Sequence, residues 1–242
     1  VSPFFFREEE FFVSAWKMIV EDFRAVRERD PAIPGGLRGL VEVILCTPGF
    51  QAVTVHRLVH FLHVSLHIPV LPRFLALLAR WWTGTEIHPG ARLGKGVFID
   101  HAAGVVIGES AVVGDGVTLF QGVTLGATGN EKEWKRHPTL EAGVFVGSGA
   151  RILGPVTVGK GARVGAGSVV LKDVPPAATV AGVPARIVKS KGQRVPSPLE
   201  SAEARIEALE GIVRDLQSEV WRLREKTAFC RSSGMRGKKG VA

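Results

Sequence analysis

The sequence predicts an α+β protein: an N-terminal α-helical domain, a parallel β-helix, and a C-terminal helical tail. Apolar residues recur at helical spacing in the first third, an aliphatic residue recurs every six positions in the middle, and a heptad pattern follows. The 242 residues are 45% hydrophobic and 22% charged, as in a globular protein. We expect the helical domain over residues 1–84, the β-helix over 85–190, and a linker, heptad helix and basic tail over 191–242.

Helical periodicity defines the first region. Its helices should break where proline and glycine interrupt the pattern. The apolar positions of the first helix are Phe11, Phe12, Ala15, Ile19 and Phe23, and the breaks are Asp30-Pro31 and Pro34-Gly35-Gly36.

The segment from Leu58 to Trp82 is the most apolar part of the chain. Histidine, proline and arginine interrupt it, so we interpret it as buried helices and not as a membrane span. Its histidines belong to a series at spacings of four, three and four, which places them on one helix face. A metal site is conceivable there, but a polar helix face is favoured because no carboxylate or cysteine accompanies the series; its members are His56, His60, His63 and His67.

Three features bear on location and partners. Residues 1–6 lack the basic start, apolar core and cleavage site of a signal peptide. Cys46 and Cys230 fit neither a disulfide framework nor a metal spacing, which favours a reducing compartment. We therefore expect a cytoplasmic protein with no membrane partner. The net charge of +8 is partly concentrated near the C-terminus without a nucleic-acid-binding motif, so no nucleic-acid partner is expected.

From Ile87 onward the apolar period is six residues. One hexad is a short strand and a turn, and it cannot bury its aliphatic side chain alone. Three hexads per coil stack into a triangular prism with an aliphatic interior, which is a parallel β-helix. The thirteen aliphatic positions are Ile87, Leu93, Ile99, Ile107, Val113, Leu119, Leu125, Leu140, Val146, Ile152, Val158, Val164 and Val170.

Small or β-branched residues, Ala103 among them, stand four positions after most of these aliphatics and should fill the corners of the interior. The register breaks twice. Two extra residues separate Ile99 from Ile107, and a longer insertion runs over residues 127–139 and includes Glu131. Insertions in a solenoid become loops on one face, which is often the functional face.

A heptad seam of about three repeats follows the linker. It predicts either a coiled coil or an amphipathic helix packed on the β-helix, and the pattern alone does not choose between them. The seam consists of Ala202, Ile206, Leu209, Val213, Leu216, Val220 and Leu223.

Several motifs occur in a specific order between residues 86 and 186. Together they resemble the serine acetyltransferase family over about Asp30 to Lys189, and the resemblance implies a left-handed β-helix. The motifs are Glu86-Ile87-His88-Pro89-Gly90-Ala91, Ile99-Asp100-His101-Ala102-Ala103-Gly104, Gly126-Ala127-Thr128-Gly129, Arg136-His137-Pro138 and Ala181-Gly182-Val183-Pro184-Ala185-Arg186.

The resemblance implies transfer of an acetyl group from acetyl-CoA to the hydroxyl of L-serine, which supplies O-acetyl-L-serine for cysteine biosynthesis. His101 corresponds to the general base, and imidazole suits that role because it is largely neutral near pH 7. Glu86 matches the carboxylate that orients the base, although many members carry Asp there. Neither cysteine lies in a motif, so we expect direct transfer without a covalent acyl-enzyme or a metal.

The same resemblance assigns the substrate contacts. Asp30 and Asp100 are expected at the ammonium of serine, and Arg136 and His137 at its carboxylate, which a guanidinium binds in bidentate fashion. CoA is expected along the groove between neighbouring β-helices. Its contacts would be Ala127, Thr128, Ser148, Arg163 and Ala166.

Three alternatives remain at this point. A related enzyme could acetylate a sugar or antibiotic hydroxyl on the same fold. A zinc carbonic anhydrase could use His88, His101 and His137, although its closely spaced histidine pair is absent from the repeats. A scaffolding β-helix would need none of these residues.

The resemblance also implies assembly and regulation. We expect a trimer, or a hexamer formed by two trimers, because the catalytic groove is shared between neighbours. Relatives are inhibited by cysteine at the serine site. Some bind the next enzyme of the pathway through a C-terminal Ile, and we do not expect that partner here because this sequence ends Gly240-Val241-Ala242.

Overall fold

The computed structural model describes residues 8–129, 132–190 and 192–234. Glu131 of the predicted loop, the last residues of the basic tail and residues 1–7 lie outside these ranges. Residues up to Val195 belong to one compact unit and those from Pro196 to a second. The helices are α1 (Glu8–Arg29), α2 (Gly36–Cys46), α3 (Pro48–Val64), α4 (Leu71–Thr83) and α5 (Pro198–Gly234).

The middle of the chain consists of short strands, as the six-residue period predicted. They are β1 (Glu86–Ile87), β2 (Arg92–Leu93), β3 (Phe98–Ile99), β4 (Val106–Ile107), β5 (Val112–Val113), β6 (Thr118–Leu119), β7 (Thr124–Gly126), β8 (Thr139–Leu140), β9 (Phe145–Val146), β10 (Arg151–Leu153), β11 (Thr157–Val158), β12 (Arg163–Val164), β13 (Val169–Val170), β14 (Thr179–Ala181), β15 (Arg186–Ser190) and β16 (Gln193–Arg194).

The strands form the three walls of a left-handed parallel β-helix. Wall A has the order β1-β4-β7-β10-β13, wall B has β2-β5-β8-β11, and wall C begins β3-β6-β9-β12-β14. The chain passes from A to B to C in each coil, so successive coils pair in parallel. At the end of wall C, β15 and β16 add two antiparallel strands, a hairpin that the sequence pattern did not predict.

The aliphatic positions of the hexads fill the interior of the prism. All of them except Leu93 are at most 5% exposed, and Leu93 is partly buried against the same cluster. Each such burial stabilises the fold by about 1.5–3 kcal/mol relative to exposure. Ala103 was expected inside but is exposed, because Ala102 and Val105 occupy the interior next to it.

A buried ion pair attaches the helical region to the first coil. Arg57 of α3 donates to both carboxylate oxygens of Asp22 in α1, at 2.7 and 2.9 Å. Arg57 also donates to the carbonyl oxygens of Leu93 and Gly94, and Asp22 accepts the Val97 N–H. Burial raises the pKa of Asp22, while the hydrogen bonds and charge of Arg57 act in the opposite direction. The Asp22–Arg57 pair therefore links the two helices to each other and to the first coil of the β-helix.

The prediction of buried helices over Leu58 to Trp82 is wrong for α4 in the single chain. Trp81 and Trp82 are 84% and 73% exposed, and Phe74 and Leu77 are also exposed. Among the helices within the described ranges, none is long and apolar enough to span a membrane alone. Helices α2 and α3, which meet at a bend of 66°, are long and apolar enough only when the two are taken together.

The histidine face of α3 is not a solvated polar face. His56 is buried, and the Nδ1 of His60 lies 2.8 Å from the carbonyl oxygen of Pro89 at the turn between β1 and β2. Within the described part of the chain, no group of three or more His, Cys, Asp or Glu side chains is placed to hold a metal ion. His56 and His60 therefore pack against the β-helix. The prediction of one helix face is wrong for His67, which follows the end of α3 and is exposed.

Helix α5 begins with a capping box. The Ser197 hydroxyl oxygen accepts the backbone N–H of Glu200 at 3.1 Å, and the Glu200 carboxylate accepts the backbone N–H of Ser197 at 2.8 Å. The reciprocal bonds satisfy two backbone donors at the helix start, so the boundary between the linker and the helix is sharply defined.

Candidate active site

The two extra residues between Ile99 and Ile107 are His101 and Ala102. The N–H of Asp100 donates to the Leu119 carbonyl of the next coil, and the carbonyl of Ala103 accepts the N–H of Gly122. The two residues between Asp100 and Ala103 therefore have no counterpart in the next coil. Both adopt left-handed backbone angles, with φ of 56° and 59°. Such angles are unfavourable for residues other than glycine and cluster at functional sites.

The insertion places the His101 side chain outside the prism. Its imidazole is 73% exposed, while the Ala102 side chain points inward and is fully buried. The carboxylate of Asp100 is 26% exposed, and its Oδ1 lies 3.9 Å from Nε2 of His101. At this distance the carboxylate can interact with the charge of an imidazolium, but the two atoms are too far apart for a hydrogen bond. The corner thus presents a proton acceptor with a carboxylate beside it.

Glu86, the expected orienting carboxylate, lies on wall A in β1. Its Oε2 is 2.7 Å from Nη1 of Arg80 on α4, and both side chains are about half exposed. Among the described residues, Arg80 is its ion-pair partner, and no hydrogen bond joins it to His101. In the single chain the charge of Glu86 is therefore directed to α4.

The loop after β7 is held against the second coil by Ser110. The Ser110 hydroxyl oxygen accepts the backbone N–H groups of Arg136 and His137, each at 3.1 Å, and the Lys135 ammonium donates to the Ser110 carbonyl at 2.7 Å. Arg136 also donates to the Glu109 carboxylate at 3.0 Å. Burial lowers the pKa of Lys135, and the nearby Arg92 lowers it further. One buried hydroxyl thus accepts two backbone N–H groups of this basic loop.

The ring of His137 rests in a socket on the second coil. Its Nδ1 accepts the backbone N–H of Ser110 at 3.2 Å and lies 2.9 Å from the Ser110 hydroxyl oxygen. Because Nδ1 accepts from a backbone donor, the ring proton of the neutral imidazole sits on Nε2. A Cβ added to Gly108 would lie 2.0 Å from Cδ2 of this ring, so only glycine leaves room for it.

A groove of about 350 Å³ lies on wall C, one coil and more above His101. The guanidinium of Arg163 stacks on the ring of Phe145 at 4.1 Å, which holds a positive charge against the wall. The residues that line the groove include Phe120, Phe145, Ser148, Arg163, Ala166 and Thr179.

The expected site residues fall on two different corners of the prism. Asp100, His101, Ser148 and Ala166 lie where wall C turns into wall A, which we call the C/A corner. Ala127, Thr128, Arg136 and His137 lie where wall A turns into wall B, which we call the A/B corner. Wall A, with Glu86, separates the two sets, so one chain does not bring its own loop over its own His101.

Asp30 is the first residue after α1, on the side of wall C. The preceding residue, Arg29, donates to the Gly96 carbonyl and to the Thr118 hydroxyl, which attaches this helix end to the first two coils. The Asp30 carboxylate itself accepts the N–H of Ala32 at 2.9 Å and is partly buried. Asp30 thus lies against the wall whose first strand leads into Asp100.

The histidines behind the A/B corner favour the neutral form. Burial lowers the pKa of His56 to about 3, and burial also lowers the pKa of His60 and of His88. For His88 the Glu109 carboxylate acts in the opposite direction. The histidines considered for a zinc site are not gathered around one point, because His88 and His137 lie near the A/B corner and His101 lies at the C/A corner.

Comparison with known proteins gives concordant matches. Residues 137–172 match the bacterial transferase hexapeptide (six repeats) family. The serine acetyltransferase of Synechococcus elongatus is 52% identical over 195 residues, which is 79% of this chain and 78% of that protein. The solved serine acetyltransferase of Neisseria gonorrhoeae in complex with serine superposes with a TM-score of 0.69 at 39% identity, over 75% of this chain and 72% of that chain.

A second solved structure is that of serine acetyltransferase in complex with coenzyme A from Brucella abortus. It superposes with a TM-score of 0.68 at 42% identity, over 78% of this chain and 74% of that chain. The coils of short parallel strands, with an exposed histidine at one corner, are those of a hexapeptide-repeat acyltransferase. Within that class, the chain belongs to the serine acetyltransferase family.

Two residues of the site were not foreseen from the sequence. Gly108 and Ser110 build the socket of His137. Gly108 precedes Glu109 and Ser110 follows it, within an ordinary hexad. Their only sequence signal is position: they stand at a corner of the coil directly below the long insertion, where a returning loop needs a buried hydroxyl and an open space.

Proposed function

We propose that the protein transfers the acetyl group of acetyl-CoA to the hydroxyl of L-serine, giving O-acetyl-L-serine and CoA, with His101 as general base. The observation that carries this proposal is the corner insertion, which presents an exposed imidazole beside Asp100 on the coil below the wall C groove. The product is the acetylated serine from which cysteine is made.

His101 has a defined part in the reaction. Its neutral imidazole accepts the proton of the serine hydroxyl as the hydroxyl oxygen attacks the thioester carbonyl. A new C–O bond forms, the C–S bond breaks, and the imidazolium returns the proton to the departing CoA sulfur. Both substrates are present together, so no acyl-enzyme is required.

Charged groups on the two corners match the two charges of serine. Asp100 at the C/A corner, with Asp30 at the end of α1, supplies negative charge for the ammonium. Arg136 and His137 at the A/B corner supply a guanidinium and an Nε2–H for the carboxylate. Glu86 is proposed to orient the imidazole, and its bond to Arg80 must then be exchanged for one to His101 when the site is complete.

The CoA contacts also come from both corners. Ser148 and Ala166 line the groove along the C/A corner, and Arg163 adds a positive charge for a phosphate. Ala127 and Thr128, at the A/B corner, are proposed to approach the thioester end. CoA would then lie between two prisms, in contact with both.

The division of the site between corners supports a trimer. In a cyclic assembly, the C/A corner of one copy faces the A/B corner of the next, so each interface assembles one complete site. The exposed apolar residues of α4, including Trp81 and Trp82, are available for contacts between copies or between two trimers. A cytoplasmic location is proposed from the use of acetyl-CoA, and inhibition by cysteine from the likeness of cysteine to serine.

The direct test is thiol release from acetyl-CoA with and without L-serine. We expect serine-dependent release that falls at least 100-fold in His101→Ala, consistent with the usual contribution of a general base of about 10²–10⁴-fold. The exposed His67 gives the matched control variant His67→Ala, which should retain activity. Release with a sugar hydroxyl but not with L-serine, or full activity in His101→Ala, would contradict the proposal.

A further inference from the structure

Helix α5 carries an apolar stripe that is exposed along its length. Ile206, Leu209, Val213, Leu216 and Val220 are each about half exposed, between 49% and 60%. A contiguous row of large aliphatic side chains is unfavourable in water and marks an interaction surface. Spacings of three and four keep the row on one side of a supercoiled helix, so the matching partner is another helix.

The residue types in the stripe are ordered. β-branched residues occupy one core position of the heptad, at Ile206, Val213 and Val220. Leucine occupies the second core position of the heptad, at Leu209, Leu216 and Leu223. β-branched residues at the first position with leucine at the second are the arrangement that favours parallel association of two identical helices.

The charged residues beside the stripe are complementary to themselves. In a parallel, in-register pair, a residue on one flank of the core meets the residue five positions further on the opposite helix. Arg205 then faces Glu210 of the second copy, and Glu219 faces Arg224. The pair between them, Ile212 with Gln217, is uncharged. Each flanking pair from Arg205 to Arg224 is therefore attractive or neutral, so this part of the stripe meets no like-charge repulsion in a parallel pair.

We propose that α5 binds the α5 helix of a second copy of this chain as a parallel, in-register coiled coil. The occupant of the stripe is thus the same segment of another copy. The short connection over residues 195–197 ties each helix to its enzymatic unit, so any association of those units raises the effective concentration of the helices. The coil acts as a second attachment between copies that does not depend on the active site.

Site-specific disulfide formation in the full chain tests this arrangement. In a background of Cys46→Ser and Cys230→Ser, Ile206→Cys places a thiol in the core near one end of the stripe. The matched control is Ala204→Cys, on the opposite face of the same helix turn. Under mild oxidation we expect Ile206→Cys to form a disulfide-linked dimer at least about tenfold faster than Ala204→Cys.

Two further variants keep the test decisive. Glu210→Arg sets Arg205 against a like charge and should slow cross-linking of Ile206→Cys, and adding Arg205→Glu should restore it. Equal rates for the two thiols would overturn the proposal. So would cross-linking between Ile206→Cys and Leu223→Cys chains in preference to like pairs, because that pattern requires antiparallel helices.

Discussion

The hydroxyl oxygen of Ser110 lies 2.9 Å from Nδ1 of His137, and the same oxygen accepts two backbone N–H groups of the loop that carries Arg136 and His137. Ser110 is 3% exposed, so water does not replace it readily. One buried hydroxyl thus sets both the backbone of the loop and the orientation of the ring. The carboxylate-binding pair of the proposed site depends on a residue that does not contact the substrate.

Removing this hydroxyl should weaken serine binding selectively. Ser110→Ala leaves two buried backbone donors unpaired, at a cost of about 1–3 kcal/mol each. We expect the KM for L-serine to rise at least about tenfold, with the KM for acetyl-CoA nearly unchanged. Ser110→Thr keeps the hydroxyl and should stay near the native value. Ser168→Ala, which removes another buried hydroxyl of the β-helix, is the matched control. An unchanged serine KM in Ser110→Ala would contradict the positioning role.

Gly108 should be intolerant of a methyl group. In Gly108→Ala the new Cβ falls on the His137 ring, which must leave its socket. Loss of the ring's position should raise the KM for L-serine as in Ser110→Ala, and circular dichroism should show the β-helix intact. Gly211→Ala places its methyl group in open space and serves as the control. Normal serine kinetics in Gly108→Ala would show that the ring position is unimportant.

The buried Asp22–Arg57 pair should be strongly coupled. Asp22→Asn or Arg57→Leu alone strands a buried polar partner, and each should lower the free energy of unfolding by about 3–5 kcal/mol. The double variant should lose less than the sum of the two. Urea unfolding monitored by tryptophan fluorescence measures all three. The exposed pair Arg24–Glu21 offers a comparison, for which the same cycle should give less than about 1 kcal/mol. Strict additivity at Asp22 and Arg57 would contradict the coupling.

Stability should fall with acidity because of His56. Its pKa is lowered from 6.5 to about 3 by burial, so between these values the unfolded chain binds a proton that the folded chain does not. Stability therefore rises with pH in this window and is lost on acidification, by about 2 kcal/mol from pH 6.5 to 4.5.

The variant His56→Gln removes this titration and keeps a polar side chain at the buried position. Its free energy of unfolding should depend less steeply on pH than that of the native chain, by the same 2 kcal/mol or so over the window. The exposed His67 provides the control His67→Gln. Equal pH slopes for native chain and His56→Gln would show that His56 is protonated in the folded state.

The local structure around His101 was largely predictable from the sequence. The period of six specified the three walls and the buried aliphatics, and the two extra residues before Ile107 marked the corner where a side chain leaves the prism. Spacing carries this information because one residue too many or too few in a coil must bulge outward.

The remaining features depend on contacts that spacing does not encode. The sequence placed Arg136 and His137 near His101, but the loop leaves the prism one wall away, and the distance between the corners is set by the width of wall A. Likewise, the apolar pattern of α4 does not tell whether the same chain or another copy covers Trp81. The β15–β16 hairpin was missed because glycine and proline at 182–184 obscure the strand pattern.

The central claim is that one active site is built from the C/A corner of one copy and the A/B corner of the next. Mixed assemblies of His101→Ala and Arg136→Ala, two variants each expected to be nearly inactive, test it directly. After co-expression in equal amounts, about one interface in four joins an intact His101 corner to an intact Arg136 corner. Serine-dependent thiol release should therefore recover to about a quarter of the native activity. Mixed assemblies as inactive as the separate variants would contradict the claim.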